Sequence, residues 1–441
     1  METILSMPPL LCAPTSQMDP LLHRSPSYHT VQLMDAPIYL DHNATTPVDP
    51  RVFEMMRPYF CEVYGNAASR SHAFGHEAAK AVAAAREQVA ALIGAAPAEI
   101  VFTSGATESN NLAIKGAAEN YAKKGRHIIT QATEHKAVLD PCKKLQLSGY
   151  DVTILGVDST GRIRLDELAA AIRPDTILVS IMYANNETGT LQPIREIGHI
   201  CQERGIPFHS DATQAVGHLP VNVDNDAIDM LSLSAHKLYG PKGVGSLFLR
   251  RRGKRAVVCA QLDGGGHERG FRSGTLNVPG IVGLGEACRL AQMAMQDEMA
   301  RMQSLRDRLD QGILARNRYV SINGSTDNRL PHTSNLSFAY AEGESIMLAM
   351  PEVAVSSGSA CTSANLEPSY VLAAMGLNAA HAHSSIRFGI GRFNTEQQID
   401  YVVERLTANL TRLREMSPLY EMAMEGINPD TVQWPRDKHH D

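Results

Sequence analysis

The chain has 441 residues, 44% of them apolar and 20% charged, enough for one domain with a large buried core and a second, smaller one. A net charge of −6 gives no global reason to expect direct nucleic-acid binding, and no apolar run approaches the ~18 residues of a membrane-spanning helix, so neither partner is expected. The seven cysteines (12, 61, 142, 201, 259, 288 and 361) are scattered, odd in number and free of Cys-x-x-Cys pairs, which argues against a disulfide framework or a structural zinc site and suits a reducing compartment.

Residues 1–36 carry Pro-rich patches, one arginine (Arg24) and the acidic Glu2, Asp19 and Asp35. A transit peptide would be Arg-rich and acid-poor, and a signal peptide would start basic, so the segment reads as a disordered extension of a cytoplasmic protein. From residue 71 the pattern alternates. Apolar residues at helical spacing over 78–92 stop at Gly94, and 99–102 reads as a short buried strand before Thr103-Ser104-Gly105. Further helices are predicted at about 108–123, 137–147, 165–173 and 194–204. Strands fall at 127–130, 152–155, 176–182 and 207–209, then at 230–233 and 244–249. The basic run Arg250-Arg251-Arg252-Gly253-Lys254-Arg255 reads as a solvated loop after the last of these. A long charged helix over 299–315 then leads to strands near 334–339 and 384–390. The expected division is an extension (1–36), a large domain (47–296) and a small domain made by 37–46 with 297–441.

Strand and helix in alternation predict an α/β fold with a mostly parallel sheet and helices on both faces. Ligands of such sheets bind beyond the carboxyl ends of the strands. Five polar clusters fall there: Ser104-Gly105-Ala106-Thr107, Thr133-Glu134-His135, Asn185-Asn186-Glu187, Asp211, and Ser234 to Lys237. Five clusters at five strand ends predict one shared site.

The wording of several stretches carries a resemblance: Leu40-Asp41-His42-Asn43-Ala44-Thr45-Thr46-Pro47, Phe102 to Asn111, Thr133-Glu134-His135-Lys136, Ser234-Ala235-His236-Lys237, Gly264 to Gly270, and Ser356-Ser357-Gly358-Ser359-Ala360-Cys361. Over about residues 37–434 the chain resembles the cysteine desulfurases of the class-V aminotransferase family, in particular the housekeeping group that feeds iron-sulfur cluster assembly. The resemblance implies a PLP-dependent transferase fold of type I (aspartate-aminotransferase-like), with a large domain and a smaller α+β domain. It also implies pyridoxal 5'-phosphate as cofactor, L-cysteine as substrate, and a homodimer in which both subunits contribute to each site.

The residue roles follow from the same resemblance. Lys237 would carry the cofactor covalently and later move protons at the substrate α-carbon; Lys242, five residues on, is set aside by the His-Lys pair. Asp211 would pair with the pyridine nitrogen and Gln214 with the ring hydroxyl. His135 resembles the histidine that stacks on the ring. Ala106 and Thr107 open a helix suited to a phosphate, with Ser234 and His236 from the neighbouring strand end and Thr275 from the partner subunit. Asn186 and Arg387 match positions that hold the substrate carboxylate, and Arg392 is a near neighbour that could be mistaken for Arg387.

Cys361 lies in a run of small residues suited to a mobile, accessible thiol. Its thiolate would take the substrate sulfur as a persulfide and release alanine. The sulfur would supply iron-sulfur assembly, with tRNA thiolation as a further outlet and Cys361 as a transient cluster ligand through its persulfide. Ser417-Pro418-Leu419-Tyr420-Glu421-Met422 and Trp434 resemble the tail that docks the scaffold protein, although 435–441 depart from it. Milder departures are His42, Ala67 and Ser210. Two competing functions are a selenocysteine lyase and a scaffold whose catalysis is dispensable.

Overall fold

The computed structural model describes residues 37–253, 255–357 and 368–427. Its twelve strands are β1 (Ile38–Tyr39), β2 (Ile100–Thr103), β3 (His127–Gln131), β4 (Asp151–Leu155), β5 (Thr176–Ser180), β6 (Phe208–Asp211), β7 (Met230–Ser234), β8 (Gly245–Leu249), β9 (Val320–Ile322), β10 (Thr333–Phe338), β11 (Val353–Ala354) and β12 (Ser385–Gly389). Seven of them form one sheet in the order β2-β8-β7-β6-β5-β3-β4. The pairs from β7 to β4 are parallel, and β8 alone runs against both its neighbours.

Side chains of this sheet go alternately to two apolar layers, as period-2 geometry requires. Ile100, Phe102, Ile129, Leu231 and Phe248 belong to one layer, with helix residues such as Val82, Val89 and Leu284. Val101, Ile128, Met230 and Leu247 belong to the other, with Leu112 and Ile114. Apolar residues on both faces make these strands read as near-continuous hydrophobic runs, which is why they were legible in sequence.

A second, three-stranded antiparallel sheet, β12-β10-β9, has its own apolar cluster with Leu305, Leu309, Leu406 and Leu410. The helix expected over 299–315 begins at Val278 and runs unbroken to Arg316, across the predicted boundary at 296. Asn277 caps it, accepting from Gly280 N at 3.1 Å. Its first half hides from a periodicity argument because glycines replace side chains where other elements crowd it. A Cβ on Gly285 would stand 2.6 Å from Ala85 Cα, and one on Gly283 would stand 2.5 Å from Met56 Sδ.

The helix Glu396–Glu415, opened by a capping box of Thr395 and Gln398, has no counterpart among the sequence expectations. Nor is the basic run as free as expected. Arg250 is pinned to Asp224 Oδ1 at 2.6 Å and to the Ile228 carbonyl, while Glu99 accepts from the backbone of Arg251 and Arg252. Among the described residues no helix is long and apolar enough to cross a membrane.

Candidate active site

The cavity of interest lies beyond the carboxyl ends of β3, β5, β6 and β7. The last residue of β6 is Asp211, almost fully buried. Its Oδ2 accepts from Asn110 Nδ2 at 2.7 Å, and its Oδ1 accepts from Thr213 N at 3.0 Å and Thr213 Oγ1 at 2.5 Å. A carboxylate so surrounded by donors keeps a fixed orientation. The following strand, β7, ends at Ser234 and passes into a 3₁₀ turn, Ala235–Lys237. Thr46 clamps this turn: its N and Oγ1 donate to the His236 carbonyl at 2.9 and 3.0 Å, and its Oγ1 accepts from Tyr239 N at 2.9 Å. Lys237 Nζ projects into the cavity and donates to the Ala44 carbonyl at 2.7 Å and to that of Asn43. Gln214 Nε2 donates to the Asn43 carbonyl at 3.0 Å.

At another wall, Gly105 (φ 152°) opens the helix Ala106–Asn120, whose first amide groups face the cavity end. Close backbone approach is required here, since a Cβ on Gly245 of β8 would stand 2.8 Å from Gly105 Cα and 2.5 Å from the Leu233 carbonyl oxygen. Glu108 ties the loop down, accepting from Ser104 N at 2.7 Å and from Arg272 Nε at 2.8 Å. His236 shares a 3.1 Å hydrogen bond with Thr45 Oγ1, and burial, with Lys237 and Lys242 acting in the same direction, pushes its imidazolium pKa down to about 4.

His135 caps the helix Lys136–Leu147, its Nδ1 accepting from Ala137 N at 3.1 Å. Burial lowers its pKa, with Lys237 and Lys136 in the same sense and Asp211 and Asp140 opposing, so the ring is neutral near pH 7 and carries its proton on Nε2. Beneath it Glu134 is fully buried and accepts from Met182 N at 2.5 Å. Burial, helped by Asp211, holds that carboxyl well above the usual range.

Arg387 reaches the cavity from the middle of β12. Its Nη1 donates to the Asn186 carbonyl at 3.1 Å, and its Nη2 donates to Asp41 Oδ1 and Ser356 Oγ, both at 2.7 Å. Arg387 Nε and Asn186 Oδ1 are buried with no partner among the described residues. Arg392, by contrast, is taken up by Asp49 at 2.7 Å and Glu298 at 2.6 Å.

His135, Ala106, Thr107, Asn186, Asp211, Gln214, Ser234, His236, Lys237 and Arg387 all line this one cavity of ≈ 530 Å³, and Lys242 lines it too. Thr275 is exposed and lies outside it. Cys361 falls in 358–367 and Trp434 in 428–441, outside the described residues. Sequence reasoning assigned no role to Asp41, Asn43, Ala44, Asn110 or Glu134. All five sit inside quoted motifs, but nothing local says that Asp41, Asn43 or Ala44 meets Arg387 or Lys237, or that Asn110 meets Asp211.

The lining fits pyridoxal phosphate. It offers a primary amine, a carboxylate held by two other residues, a helix start with close backbone approach for a phosphate, and an unpartnered donor and acceptor at Arg387 and Asn186.

The class-V aminotransferase profile matches residues 38–402. The chain is 57% identical over 401 residues to "Cysteine desulfurase IscS" of Anaeromyxobacter dehalogenans, covering 91% of this chain and 99% of that one. It is 56% identical over 409 residues to the protein of the same name from Photorhabdus laumondii, covering 92% and 100%. Among solved structures it is similar to a "NifS-like protein" (TM-score 0.79, 38% identity, 85% of this chain and 100% of that one). It is also similar to "SspA in complex with cysteine" (TM-score 0.71, 38% identity, 81% and 100%).

Proposed function

The chain belongs to the class-V aminotransferase family and is a pyridoxal-phosphate-dependent cysteine desulfurase, and from that premise we propose how its own residues divide the reaction. The observation that carries the proposal is the placing of Lys237, Asp211, His135 and Arg387 around one cavity. Bound pyridoxal phosphate supplies the electron sink that makes the substrate Cα proton and Cβ–S bond labile. Asp211 would hold a protonated ring nitrogen, a role supported by the fixed carboxylate that Asn110 and Thr213 orient, and the amides at Ala106 and Thr107, with Ser234 and His236, would donate to the phosphate. Lys237 holds the cofactor and then moves the proton at Cα. Arg387 and Asn186 take the substrate carboxylate, which would accept from Arg387 Nε–H, a donor without a partner among the described residues, and from the Asn186 amide N–H. Neutral His135 is able to accept or return a proton near neutral pH.

The Cys361 thiolate attacks the substrate sulfur. An S–S bond forms as the C–S bond breaks, the carbon skeleton keeps the electron pair, takes up protons and leaves as alanine, and the sulfur remains on Cys361 as a persulfide. Acceptors of that sulfur are iron-sulfur assembly, with Cys361 as a transient cluster ligand, and tRNA thiolation. Two subunits build each site, a reading supported by Thr275 standing exposed outside the cavity of its own chain and by the exposed Phe53, Met55, Phe60, Tyr64 and Phe74. A scaffold partner docking at the tail is supported by exposed Met416, Leu419 and Met424. The small domain, 37–46 with 297–441, carries this tail and the Cys361 run, and the working compartment is the cytoplasm.

The test is to expose the protein to cysteine without reductant, alkylate, and map the persulfide by mass spectrometry. Persulfide on Cys361, absent in Cys361→Ser and in Lys237→Ala, is the expected result; persulfide on another cysteine would reject the Cys361 role.

A further inference from the structure

Beside the Lys237 turn, and not among the residues that line the cavity, lies a buried group of aromatic rings that the reaction does not use. His218 and His332 pack with ring centres 4.2 Å apart and planes tilted by 36°, and His218 and Tyr239 meet edge-on with ring centres 6.5 Å apart. His218 Nε2 stands 2.8 Å from the Lys237 backbone carbonyl oxygen. A carbonyl only accepts, so the proton of this bond belongs to Nε2.

We infer that His218 is a positioning residue for Lys237, its Nε2–H holding the carbonyl of the turn from which the amine projects. The inference rests on the assignment of Lys237 as the cofactor lysine. Several observations support it independently. The turn is under local constraint, because Tyr239, two residues on, is a non-glycine residue at φ 64°. The other groups of the turn are clamped from outside as well: Thr46 takes the His236 carbonyl, and Asp49 N donates to the Tyr239 carbonyl at 2.9 Å. The backbone leading into His218 is packed on the turn itself, since a Cβ on Gly217 (φ 85°) would stand 3.0 Å from Leu238 Cβ.

The ring is also chemically suited to one fixed donor role. Burial drives His218 down to about 4, against the opposing pull of the Lys237 carbonyl and Glu298, and Arg392 and His42 act with burial. The stacked His332 is likewise held neutral by burial. A neutral ring with Nε2 committed to Lys237 neither charges nor changes partner near neutral pH. Catalytic geometry is sensitive to this kind of support, because a displacement of about 1 Å at a reacting group can cost on the order of a hundredfold in rate.

Two substitutions separate the donor from the ring. His218→Phe keeps a ring to stack on His332 and removes the donor; His218→Gln keeps an N–H donor and removes the ring. The protein is stripped of cofactor and given pyridoxal phosphate. The recovery rate of the visible band and its ellipticity per unit absorbance are recorded. His218→Phe should recover about tenfold more slowly, the equivalent of one lost buried hydrogen bond, with ellipticity roughly halved. His218→Gln should stay near the parent in both. Parent behaviour in the Phe variant, or a Gln variant as impaired as the Phe variant, overturns the inference. Borohydride reduction and peptide mapping of the parent keep the two claims apart: an adduct away from Lys237 would overturn the lysine assignment, whereas an adduct on Lys237 with an indifferent His218→Phe overturns only the role of His218.

Discussion

Arg387 and Asp41 stand 346 residues apart in sequence and meet at 2.7 Å, where Ser356 Oγ bonds both. Asp41 fixes one end of the guanidinium while Nε, in the cavity wall, has no partner among the described residues. A fork held in this way is ready for a carboxylate, and much of the ordering cost is met before the substrate arrives. Arg387→Ala should therefore raise KM for cysteine by about ten- to a hundredfold, the range of a charge-assisted hydrogen bond, with kcat changed less. Steady-state kinetics decide this; an unchanged KM would remove Arg387 from substrate binding.

Asp211→Asn preserves shape and removes the charge. The variant should bind the cofactor and form alanine at least about a hundredfold more slowly, since a neutral amide no longer holds a proton on the ring nitrogen. Turnover within tenfold of the parent would contradict the role given to Asp211.

Glu187 is buried beside Asn186, and its Oε2 accepts from Ser369 Oγ at 2.5 Å. Burial raises its pKa from 4.5 to about 7, against the opposing effects of Ser369 and Arg387. The folded state thus binds an extra proton between those two values. The stability that this proton contributes is complete below about pH 4.5 and is lost as pH rises through about 7, up to about 3 kcal/mol in all. Denaturant unfolding of the parent and Glu187→Gln should show a difference that falls by this order across that window. A pH-independent difference would show that Glu187 is not protonated in the fold.

Gly245→Ala should damage cofactor binding through the backbone alone. Its Cβ would collide with Gly105 Cα and the Leu233 carbonyl oxygen. Relieving that clash moves the helix start proposed to take the phosphate, and we expect destabilisation of about 1–3 kcal/mol with weaker retention of pyridoxal phosphate. Thermal melts with and without added cofactor test it; parent values in both would contradict it.

Much of the architecture was legible because β3, β5 and β7 are short, largely apolar strands followed by polar clusters, and both the sheet and its ligand end follow from that pattern. That Lys237, Asp211 and His135 converge on one cavity was legible from the wording of their motifs. The rest was hidden for physical reasons. The first half of the helix Val278–Arg316 is buried and interrupted by glycines that serve close packing, so it shows no amphipathic period. Asp41 meets Arg387 and Ser356, and His218 meets the Lys237 carbonyl, through long-range contacts that no local spacing encodes. Arg250 reads as a loop charge, yet three backbone and side-chain partners hold it, because neutralisation by Asp224 is a tertiary event.

The most direct test of the account is to incubate the protein with cysteine and a reductant, and to quantify alanine and sulfide in the parent, in Cys361→Ser and in Lys237→Ala while the visible cofactor band is followed. The account predicts equimolar alanine and sulfide from the parent, the band kept but sulfide lost in Cys361→Ser, and neither product from Lys237→Ala. Sulfide released by Cys361→Ser at the parent rate would contradict it.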